Sequence, residues 1–326
     1  MFDRKSVLIT GGTGSFGKNF AQFLLNNFKL KKLTILSRDE FKQFRMAEEI
    51  KDPRLDFILG DVRDLPRIRR IFRDFDIVVH AAALKQIPIL EHNPLEAIKT
   101  NIIGSQNVIE AAIDQGISKV LLISSDKAAE PINLYGATKL CAEKLFVTAN
   151  TYAPSATRFS VVRYGNVIGS RGSIVETLLA GGKSIKSVRV TDPQMTRFWL
   201  SLDQSFELVL FALRNMEGGE IFIPRIPSMK LGDLFDAIVP EAKKEIIGLR
   251  PGEKTHEVLL TESESKNALL LGAYFVVLPE VVREKSYKKY FKVGKKLNKK
   301  FKYASDTNTA WLTMKNFADK IKARSR

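Results

Sequence analysis

Short apolar runs alternate with longer amphipathic stretches through the first half of the chain, and this rhythm restricts the possible folds severely. Nearly continuous apolar runs of this length are typical of strands buried on both faces of a parallel sheet. The runs lie at residues 7–9, 33–36, 56–59, 77–79, 120–123 and 159–162, and helical patterns occupy residues 17–27, 65–72, 94–114 and 135–151. We therefore predict an α/β fold with a doubly wound parallel sheet of the Rossmann type.

A glycine-rich turn directly follows the first of these strands. Residues 10–17 read TGGTGSFG and open the first helix. Glycine lets the backbone turn tightly and approach a pyrophosphate, and the amide groups at the helix start attract the negative charge. The turn predicts a dinucleotide site, with contacts from Gly11, Thr13, Gly14, Ser15, Phe16 and Gly17.

The end of the second strand bears on which dinucleotide binds. A site that prefers NAD usually places an acid there, which accepts hydrogen bonds from the adenosine ribose. Here the strand ends in Ser37-Arg38-Asp39, and Arg38 can hold a 2′-phosphate with Ser37 and Lys42 as additional donors. We predict NADP, while an inward-turned Asp39 would argue for NAD.

Asp61 and Val62 follow the third strand, at the same edge of the predicted sheet. A carboxylate there can meet the adenine amino group, so we count both residues as cofactor contacts. Asp61 can equally cap the helix that begins near Leu65. The sequence leaves both interpretations open.

A serine, a tyrosine and a lysine follow the fifth strand at a suggestive spacing. Ser125 ends that strand region, and Tyr135 and Lys139 lie one helical turn apart further along. A lysine at this spacing can hold the nicotinamide ribose and lower the pKa of the phenol, which makes the tyrosine a base near neutral pH. Combined with the glycine-rich turn, this pattern predicts an oxidoreductase-type active site.

With these motifs in place, the sequence resembles the extended short-chain dehydrogenase/reductase family and, within it, the inverting UDP-N-acetylglucosamine 4,6-dehydratases that begin pseudaminic acid synthesis. The resemblance covers about residues 5–260 and is most specific between Asp126 and Lys139. The matching segments are 60–64 (GDVRD), 80–85 (HAAALK), 125–135 (SDKAAEPINLY), 163–167 (RYGNV), 195–199 (MTRFW) and 250–254 (RPGEK).

The resemblance implies a role for each catalytic candidate. Tyr135 takes the proton of the sugar 4-hydroxyl, with Ser125 hydrogen-bonding the same oxygen, while hydride passes to NADP⁺. Lys127 then removes the proton on carbon 5 and Asp126 protonates the departing 6-hydroxyl. We expect burial to keep Lys127 unprotonated and Asp126 protonated. Hydride return to carbon 6 and reprotonation of carbon 5 from the opposite face give an inverted 6-deoxy-4-keto sugar.

The resemblance also implies contacts to the rest of the ligands. A UDP-sugar needs cations at its diphosphate and polar groups around its ring. The implied substrate contacts are Lys85, Asn166, Arg171, Thr196, Arg250 and Glu253. The implied further cofactor contacts are Ala81, Lys85, Tyr135, Lys139 and Val167.

Two other functions compete with a dehydratase. A nucleotide-sugar epimerase of the same superfamily moves hydride out and back at one carbon, and the adjacent Asp126-Lys127 pair argues against it. A non-catalytic NADP-binding regulator would not need Ser125, Tyr135 and Lys139 together. Related retaining dehydratases carry methionine where Tyr135 stands and have membrane-spanning helices, so the inverting branch fits better.

The strand and helix rhythm weakens after residue 165, and this predicts a division of the chain. We expect an NADP-binding Rossmann domain over residues 1–165, to which residues 192–224 return. Residues 166–191 and 225–326 are then expected to form a smaller substrate-binding α/β lobe. The cleft between the two should hold the substrate.

Composition restricts the partners. The net charge of +16 favours an anionic partner, and nine lysines lie between residues 285 and 302. We interpret that stretch as a solvated face and expect no nucleic acid, although a regulator holding nucleic acid through it remains the rival interpretation. No apolar run is long enough to cross a bilayer, so we expect a cytoplasmic enzyme without a membrane partner.

Cysteine and histidine are scarce. Cys141 is the single cysteine, for which we expect a buried packing role, and three scattered histidines lack the spacing of metal ligands. We expect a metal-free enzyme. The resemblance further suggests a homo-oligomer, either a dimer or a hexamer.

Overall fold

The computed structural model describes residues 1–154, 156–170, 172–280 and 284–324. The strands in this part of the chain are β1 Ser6–Thr10, β2 Lys32–Ser37, β3 Leu55–Leu59, β4 Ile77–His80, β5 Lys119–Ile123, β6 Arg158–Val162, β7 Asn166–Val167, β8 Ser187–Val190, β9 Thr196–Leu200, β10 Ile221–Pro224, β11 Ser228–Lys230, β12 Lys243–Ile246, β13 Val258–Leu260, β14 Ala268–Leu271, β15 Tyr274–Val277, β16 Lys295–Lys296 and β17 Tyr303–Ala304.

The α-helices of the same ranges are α1 Ser15–Asn27, α2 Glu40–Glu49, α3 Leu65–Ile71, α4 Ile87–His92, α5 Pro94–Ala97, α6 Gly104–Asp114, α7 Leu134–Ala149, α8 Ile174–Gly181, α9 Leu202–Asn215, α10 Leu231–Ile238, α11 Glu262–Ser265, α12 Glu284–Val293 and α13 Met314–Arg324. A π-helical turn at Ile98–Ile103 joins α5 to α6. Short 3-10 helices lie at Asp126–Ala128 and Gly182–Ser184.

A large twisted sheet organises the molecule and confirms the predicted α/β fold. Within the described ranges its strand order is β16-β14-β15-β10-β6-β5-β4-β1-β2-β3. The strands from β3 to β10 in this order run parallel, and β15, β14 and β16 continue the sheet antiparallel. The order 3-2-1-4-5-6 is that of a Rossmann fold, and its direction reverses between β1 and β4. Ligands bind such sheets at that crevice, beyond the carboxyl ends of the strands.

The central strands form as predicted because both of their faces are covered. Every residue of β1 and β4 is buried, and helices pack on both sides of the sheet. Helix α1 contributes Phe20 and Leu24, which are fully buried. Close-packed apolar contacts of this kind stabilise the fold by about 1.5–3 kcal/mol for each fully buried large side chain.

Smaller sheets lie beyond the carboxyl edge of this core. Strands β11, β9 and β7 form one, β12 pairs with β8, and β13 pairs with β17. A separate hydrophobic cluster fills this part, with Trp199, Phe235 and Phe317 among its buried residues.

The strand pairing differs from the predicted division at two places. Strands β14 to β16 extend the large sheet, although we expected residues 225–326 to lie wholly in the smaller lobe. Strand β9 joins the small three-stranded sheet, although we expected residues 192–224 to return to the Rossmann core. Within that segment, β10 does pair with β6 of the large sheet. Strands β14 and β15 form an antiparallel hairpin with no helix between them, so the alternation that identified β1 to β6 could not reveal them.

The π-helical turn interrupts the helix that we predicted over residues 94–114. Asn101 in this turn accepts a hydrogen bond from the Leu84 backbone N–H at 2.8 Å and donates to the Leu84 carbonyl at 2.9 Å. Its amide also donates to the Thr138 hydroxyl at 3.0 Å. Asn101 therefore links the loop after β4 to helix α7, which is the kind of functional position where π-turns concentrate.

Two further expectations concern the surface. Cys141 is exposed on α7, so the expected buried packing role is wrong. In the described part of the chain, no helix has the length and apolar character that crossing a membrane requires.

Candidate active site

The glycine-rich turn forms a cradle at the carboxyl end of β1. Gly11 has φ +66°, and a Cβ there would lie 2.6 Å from the Ala82 Cα. A Cβ on Gly17 would lie 2.5 Å from the Gly12 Cα, so only glycine lets α1 pack this closely on the turn. The N-cap residue of α1, Gly14, offers no side chain to the first amides of the helix. The cradle therefore fits a pyrophosphate, which the free helix start and the close backbone approach both favour.

The other predicted turn residues surround this cradle. Thr13 is buried, Ser15 begins α1, and Phe16 stacks on Phe20 with ring centroids 5.2 Å apart. Ala81 follows β4, and its backbone N–H donates to the Thr10 carbonyl at 3.1 Å. The backbone on both sides of the crevice is thus held together next to the proposed pyrophosphate position.

Arg38 directly follows β2 and makes no short ion pair with the described residues. Its side chain is 45% exposed, and its guanidinium lies 3.6 Å from the Asp61 carboxylate. Asp39 turns away to cap α2: its carboxylate accepts from the Lys42 backbone N–H at 2.9 Å and pairs with the Lys42 ammonium at 2.6 Å. The inward orientation of Asp39 that would have argued for NAD is therefore not adopted. Ser37 is buried, and its hydroxyl accepts from Gln43 at 3.1 Å.

Asp61 does not cap the helix that follows it. Asp64 is the N-cap of α3 and accepts from the Arg67 backbone N–H, so the capping interpretation of Asp61 is wrong. The Asp61 carboxylate binds Arg63 instead, with N–O distances of 2.7 and 2.8 Å. Burial would raise the Asp61 pKa, but the hydrogen bonds from Arg63 hold it below its ordinary value. Val62 is buried and lies against Gly104.

The carboxyl end of β5 and the start of α7 bring three of the predicted catalytic groups together. Ser125 donates to the Asp126 carboxylate at 2.8 Å, and hydrogen bonding by Ser125 also acts to lower the pKa of the Tyr135 phenol. Asp126 is only 1% exposed. Asn133 caps α7 by accepting from the Gly136 backbone N–H at 2.8 Å, which fixes the first turn of the helix that carries Tyr135.

Lys127 lies at the centre of a group of acceptors. Its ammonium is 3.0 Å from the Asp126 carboxylate, 3.2 Å from the Asn166 side-chain oxygen and 3.1 Å from the Glu257 carboxylate. Three acceptors match the three N–H groups of an ammonium. The structure thus connects the predicted residues Asp126, Lys127 and Asn166, and it adds Glu257, which precedes β13.

The charge of Lys127 corrects one expectation. Burial alone would lower the Lys127 pKa, but the carboxylates of Asp126 and Glu257 raise it above its ordinary value, so Lys127 is an ammonium in this arrangement. The expected unprotonated amine is therefore wrong for this state. Burial and the nearby Glu257 raise the Asp126 pKa, while Lys127 opposes them, and this direction agrees with the expected protonated carboxyl.

Lys139 does not act on Tyr135 in the way that we expected. Its ammonium donates to the Ile123 carbonyl at 2.7 Å, and burial lowers its pKa to about 8. Burial raises the Tyr135 pKa, and the groups that oppose this are the Lys127 charge and the Ser125 hydrogen bond. Lys127 therefore takes the place that we assigned to Lys139 as the cation favouring the phenolate.

A turn from the smaller lobe closes against the start of α7. Gly252 has φ +74°, as the predicted tight turn requires, and its carbonyl accepts from the Asn133 side chain at 2.8 Å. Arg250 is exposed on this turn. Glu253 is partly buried, and one of its carboxylate oxygens lies 3.6 Å from Arg197. The turn thus brings Glu253 next to Arg197 and leaves Arg250 exposed.

Thr196 is not placed as we expected. Its side chain is 3% exposed, and its hydroxyl is hydrogen-bonded to His256 at 2.8 Å and to Ser305 at 2.6 Å. These bonds hold the smaller lobe together and engage the Thr196 hydroxyl within the protein. Arg171 lies outside the described residues.

Lys85 and Val167 border the same region. Burial lowers the Lys85 pKa, and the charges of Glu176 and Lys127 both act on it, which places it near the catalytic group. Val167 in β7 packs partly buried against the main core. Among the described residues, no group of His, Cys, Asp and Glu side chains has the arrangement that a metal ion needs.

Sequence reasoning missed Arg197 and Glu257. The Arg197 guanidinium donates to the carbonyls of Thr196, Lys254 and Thr255 at 2.8 to 3.0 Å, so it organises the loop that ends in Glu257. Glu257 directly precedes the apolar residues of β13. A charged residue at the border of a buried strand was the available signal, but its partner Lys127 lies 130 positions earlier and cannot be inferred from spacing.

The sequence and the structure are similar to those of known proteins. Residues 7–279 match the family model described as "Polysaccharide biosynthesis protein". The UDP-N-acetylglucosamine 4,6-dehydratase (inverting) of Campylobacter jejuni subsp. jejuni serotype O:2 is 46% identical, and the alignment covers 98% of each chain. The UDP-glucose 4-epimerase of Rickettsia bellii is 42% identical over 91% of this chain and 89% of its own. The X-ray structure of Pen from Bacillus thuringiensis superimposes with a TM-score of 0.91 at 37% identity, covering 100% of this chain and 99% of that one.

Proposed function

The chain belongs to the polysaccharide biosynthesis protein family, and we propose that within this family it is an NADP-dependent UDP-N-acetylglucosamine 4,6-dehydratase that inverts carbon 5. This membership agrees with the resemblance to the extended short-chain dehydrogenase/reductases that the motifs indicated. The observation that carries the proposal is the pair of buried Asp126 and partly buried Lys127, whose carboxyl and ammonium groups lie 3.0 Å apart beside Ser125 and Tyr135. An acid, a base and a phenol in one place are what an oxidation followed by an elimination needs.

Tyr135 acts first, on the sugar 4-hydroxyl. The bound dinucleotide supplies the hydride acceptor for carbon 4 and later the hydride donor for carbon 6. The Tyr135 phenolate accepts the hydroxyl proton, while Ser125, which lies beside Tyr135, hydrogen-bonds the same sugar oxygen. The Lys127 charge favours the phenolate, because it is the cation whose field opposes the effect of burial on Tyr135. The product of this step is a 4-ketone, which acidifies the proton on carbon 5.

The elimination follows from the Asp126-Lys127 pair. Lys127 gives up one ammonium proton to a neighbouring carboxylate and then takes the proton from carbon 5. Asp126 donates its proton to the 6-hydroxyl, and the carbon–oxygen bond breaks with loss of water. Burial favours the neutral forms of an amine and a carboxylic acid, and for Lys127 it acts against the two carboxylates that raise its pKa. General acid and base steps of this kind contribute about 10²- to 10⁴-fold each to the rate.

The cofactor preference rests on Arg38. Its guanidinium is half exposed at the carboxyl end of β2, and its carboxylate partner within the described ranges is Asp61, at a distance of 3.6 Å. Asp39 is engaged as the cap of α2 and does not offer its carboxylate to a ribose hydroxyl. A planar guanidinium in this position suits a 2′-phosphate and supports NADP.

The substrate is held by groups from both parts of the molecule. Asn166 and Lys85 approach from the strand side, and Arg250 and Glu253 from the turn that contacts Asn133. Arg250 provides the exposed cation for the diphosphate, and Asn166 positions Lys127 as well as the sugar. The product is a UDP-2-acetamido-2,6-dideoxy-4-keto-hexose, which is a suitable precursor of pseudaminic-acid-type sugars. In this proposal the enzyme acts in the cytoplasm as a homo-oligomer.

An epimerase is the second candidate, and the Rickettsia bellii relative favours it. Incubation with UDP-N-acetylglucosamine and NADP⁺, followed by mass spectrometry and NMR, separates the two. A dehydratase yields a product lighter by one water, with a new methyl group at carbon 6. A product of unchanged mass that differs only in configuration at carbon 4 would establish the epimerase instead. Replacing Lys127→Ala should abolish water loss and leave NADP⁺ binding intact.

A further inference from the structure

Glu257 is a second buried carboxylate at Lys127, and the mechanism above does not distinguish its role from that of Asp126. Its side chain is 3% exposed and one oxygen lies 3.1 Å from the Lys127 ammonium. The backbone holds it in place, because the Glu257 N–H donates to the Ser305 hydroxyl at 2.8 Å and the Glu257 carbonyl accepts from the Ser305 N–H at 2.8 Å. Its other oxygen, Oε2, is buried without a hydrogen-bond donor among the described residues. A buried carboxylate with an unfilled acceptor is costly and calls for a reason.

The two carboxylates that share Lys127 have unequal surroundings. Glu257 lies within 4 Å of three cations, with Lys127 at 3.1 Å, Lys254 at 3.7 Å and Arg197 at 3.8 Å. In the described residues, Lys127 is the cation that pairs with Asp126, which is supported otherwise by the Ser125 hydroxyl. When two nearby carboxylates compete for one proton, the one with fewer cations takes it.

We propose that Glu257 is a positioning residue for the dehydration: it is the ionised counter-ion of Lys127, so that Asp126 keeps the proton that it delivers to the leaving oxygen. The proposal rests on the proposed function and deepens it. Without Glu257, Asp126 would be the only carboxylate balancing the buried ammonium and would have to be ionised. With Asp126 protonated, Glu257 is also the carboxylate that remains to accept a proton from Lys127 before carbon 5 is attacked.

The directions of the pKa values agree with this geometry. Burial would raise the Glu257 pKa, but Lys127, Arg197 and Lys254 together lower it, which favours an ionised Glu257 before the reaction begins. Burial raises the Asp126 pKa and the Glu257 charge raises it further, against the opposing effect of Lys127. The charged or titratable groups that face this cluster from the surrounding elements are Lys85, Glu130, Tyr135, Arg197, Glu253 and Lys254.

The direct test is to monitor the protonation state of Asp126 by infrared difference spectroscopy. The full-length protein with NADP⁺ bound is titrated with respect to pH. The band of a protonated carboxyl that disappears in Asp126→Asn belongs to Asp126. We expect this band at neutral pH in the wild type. In Glu257→Gln, which removes the charge and keeps the shape, the band should develop only at a pH lower by about one unit or more. Glu257→Asp keeps the charge and should retain the band near neutral pH.

Absence of the Asp126 band at neutral pH in the wild type would overturn the proposal, as would an unchanged titration in Glu257→Gln. If Glu257→Gln does not fold, the presence of the Asp126 band in the wild type and its retention in Glu257→Asp still test the proposal. The infrared arm does not depend on turnover, so it tests the charge assignment even if the enzyme fails to dehydrate UDP-N-acetylglucosamine. Failure of that wild-type reaction would overturn the proposed function instead.

A kinetic arm separates positioning from a purely structural effect. Because Asp126 acts protonated, water loss declines as pH rises through its pKa, and in Glu257→Gln this decline should begin at lower pH. Rapid mixing at slightly alkaline pH should then show NADPH formed by oxidation at carbon 4 and consumed slowly. Glu262→Gln removes an exposed carboxylate from α11 and should match the wild type. A loss in Glu257→Gln that appears in KM alone, with an unshifted pH profile, would contradict the proposal.

Discussion

Replacing Arg38 with alanine should convert a preference for NADP into indifference between the two dinucleotides. The Arg38 side chain is 45% exposed and its nearest carboxylate lies at 3.6 Å, so the guanidinium is available without breaking a strong ion pair. A hydrogen bond to a charged group contributes about 1.5–3 kcal/mol. Solvent screening at a half-exposed site reduces this to about 1–2 kcal/mol. Arg38→Ala should therefore weaken NADP⁺ binding by about 5- to 30-fold.

Calorimetric titration with NADP⁺ and with NAD⁺ measures this difference directly. NAD⁺ lacks the 2′-phosphate, so its affinity should change little in Arg38→Ala. Arg45→Ala removes the same charge from an exposed position on α2 and controls for the general loss of positive charge. The difference should shrink as salt is added, because exposed charges are screened. Equal weakening of both dinucleotides, or no change for NADP⁺, would refute the role given to Arg38.

Two predictions concern the scaffold of the site. Asn133→Ala removes the cap of α7 and the bond to the Gly252 carbonyl, so it should lower the free energy of unfolding by about 1–3 kcal/mol. Asn133→Asp keeps the cap and should be intermediate in stability. Denaturant titration should order the three proteins in this way, and equal unfolding midpoints would contradict the role given to Asn133. Arg163→Met should cost about 3–5 kcal/mol, because it leaves the Glu143 carboxylate buried without its guanidinium partner. Adding Glu143→Leu should recover part of this loss, and a double variant as unstable as the single one would argue against an ion-pair effect.

The sequence predicted the parts of the structure that depend on local pattern. The six apolar runs became β1 to β6, and β1, β2, β4, β5 and β6 are mostly buried, as continuous apolar strands of a parallel sheet should be. The exception is β3, an edge strand without a buried residue, so burial on both faces was wrong for this run. The glycines at 11 and 17 were identifiable because close backbone approach excludes any Cβ. Ser125, Asp126 and Tyr135 come together because they lie near one another along the chain, at the end of β5 and the start of α7.

The sequence failed where long-range contacts decide the outcome. The charge of Lys127 depends on Glu257, and no local pattern relates two residues so far apart. Thr196 belongs to a matching motif, yet its hydroxyl is used by His256 and Ser305 inside the smaller lobe. The additional sheet strands β14 to β16 also depend on pairing between distant segments. Such pairings are set by tertiary packing, which overrides the local signal.

The central claim is that Tyr135, Asp126 and Lys127 act on the same sugar ring in one catalytic cycle, without release of an intermediate. UDP-N-acetylglucosamine carrying deuterium at carbon 4 tests it, with the product examined by deuterium NMR. The account predicts that the label moves to the methyl group at carbon 6, because hydride is removed from carbon 4 and returned after water has left. A label that returns to carbon 4, with the 6-hydroxyl still present, would contradict the account.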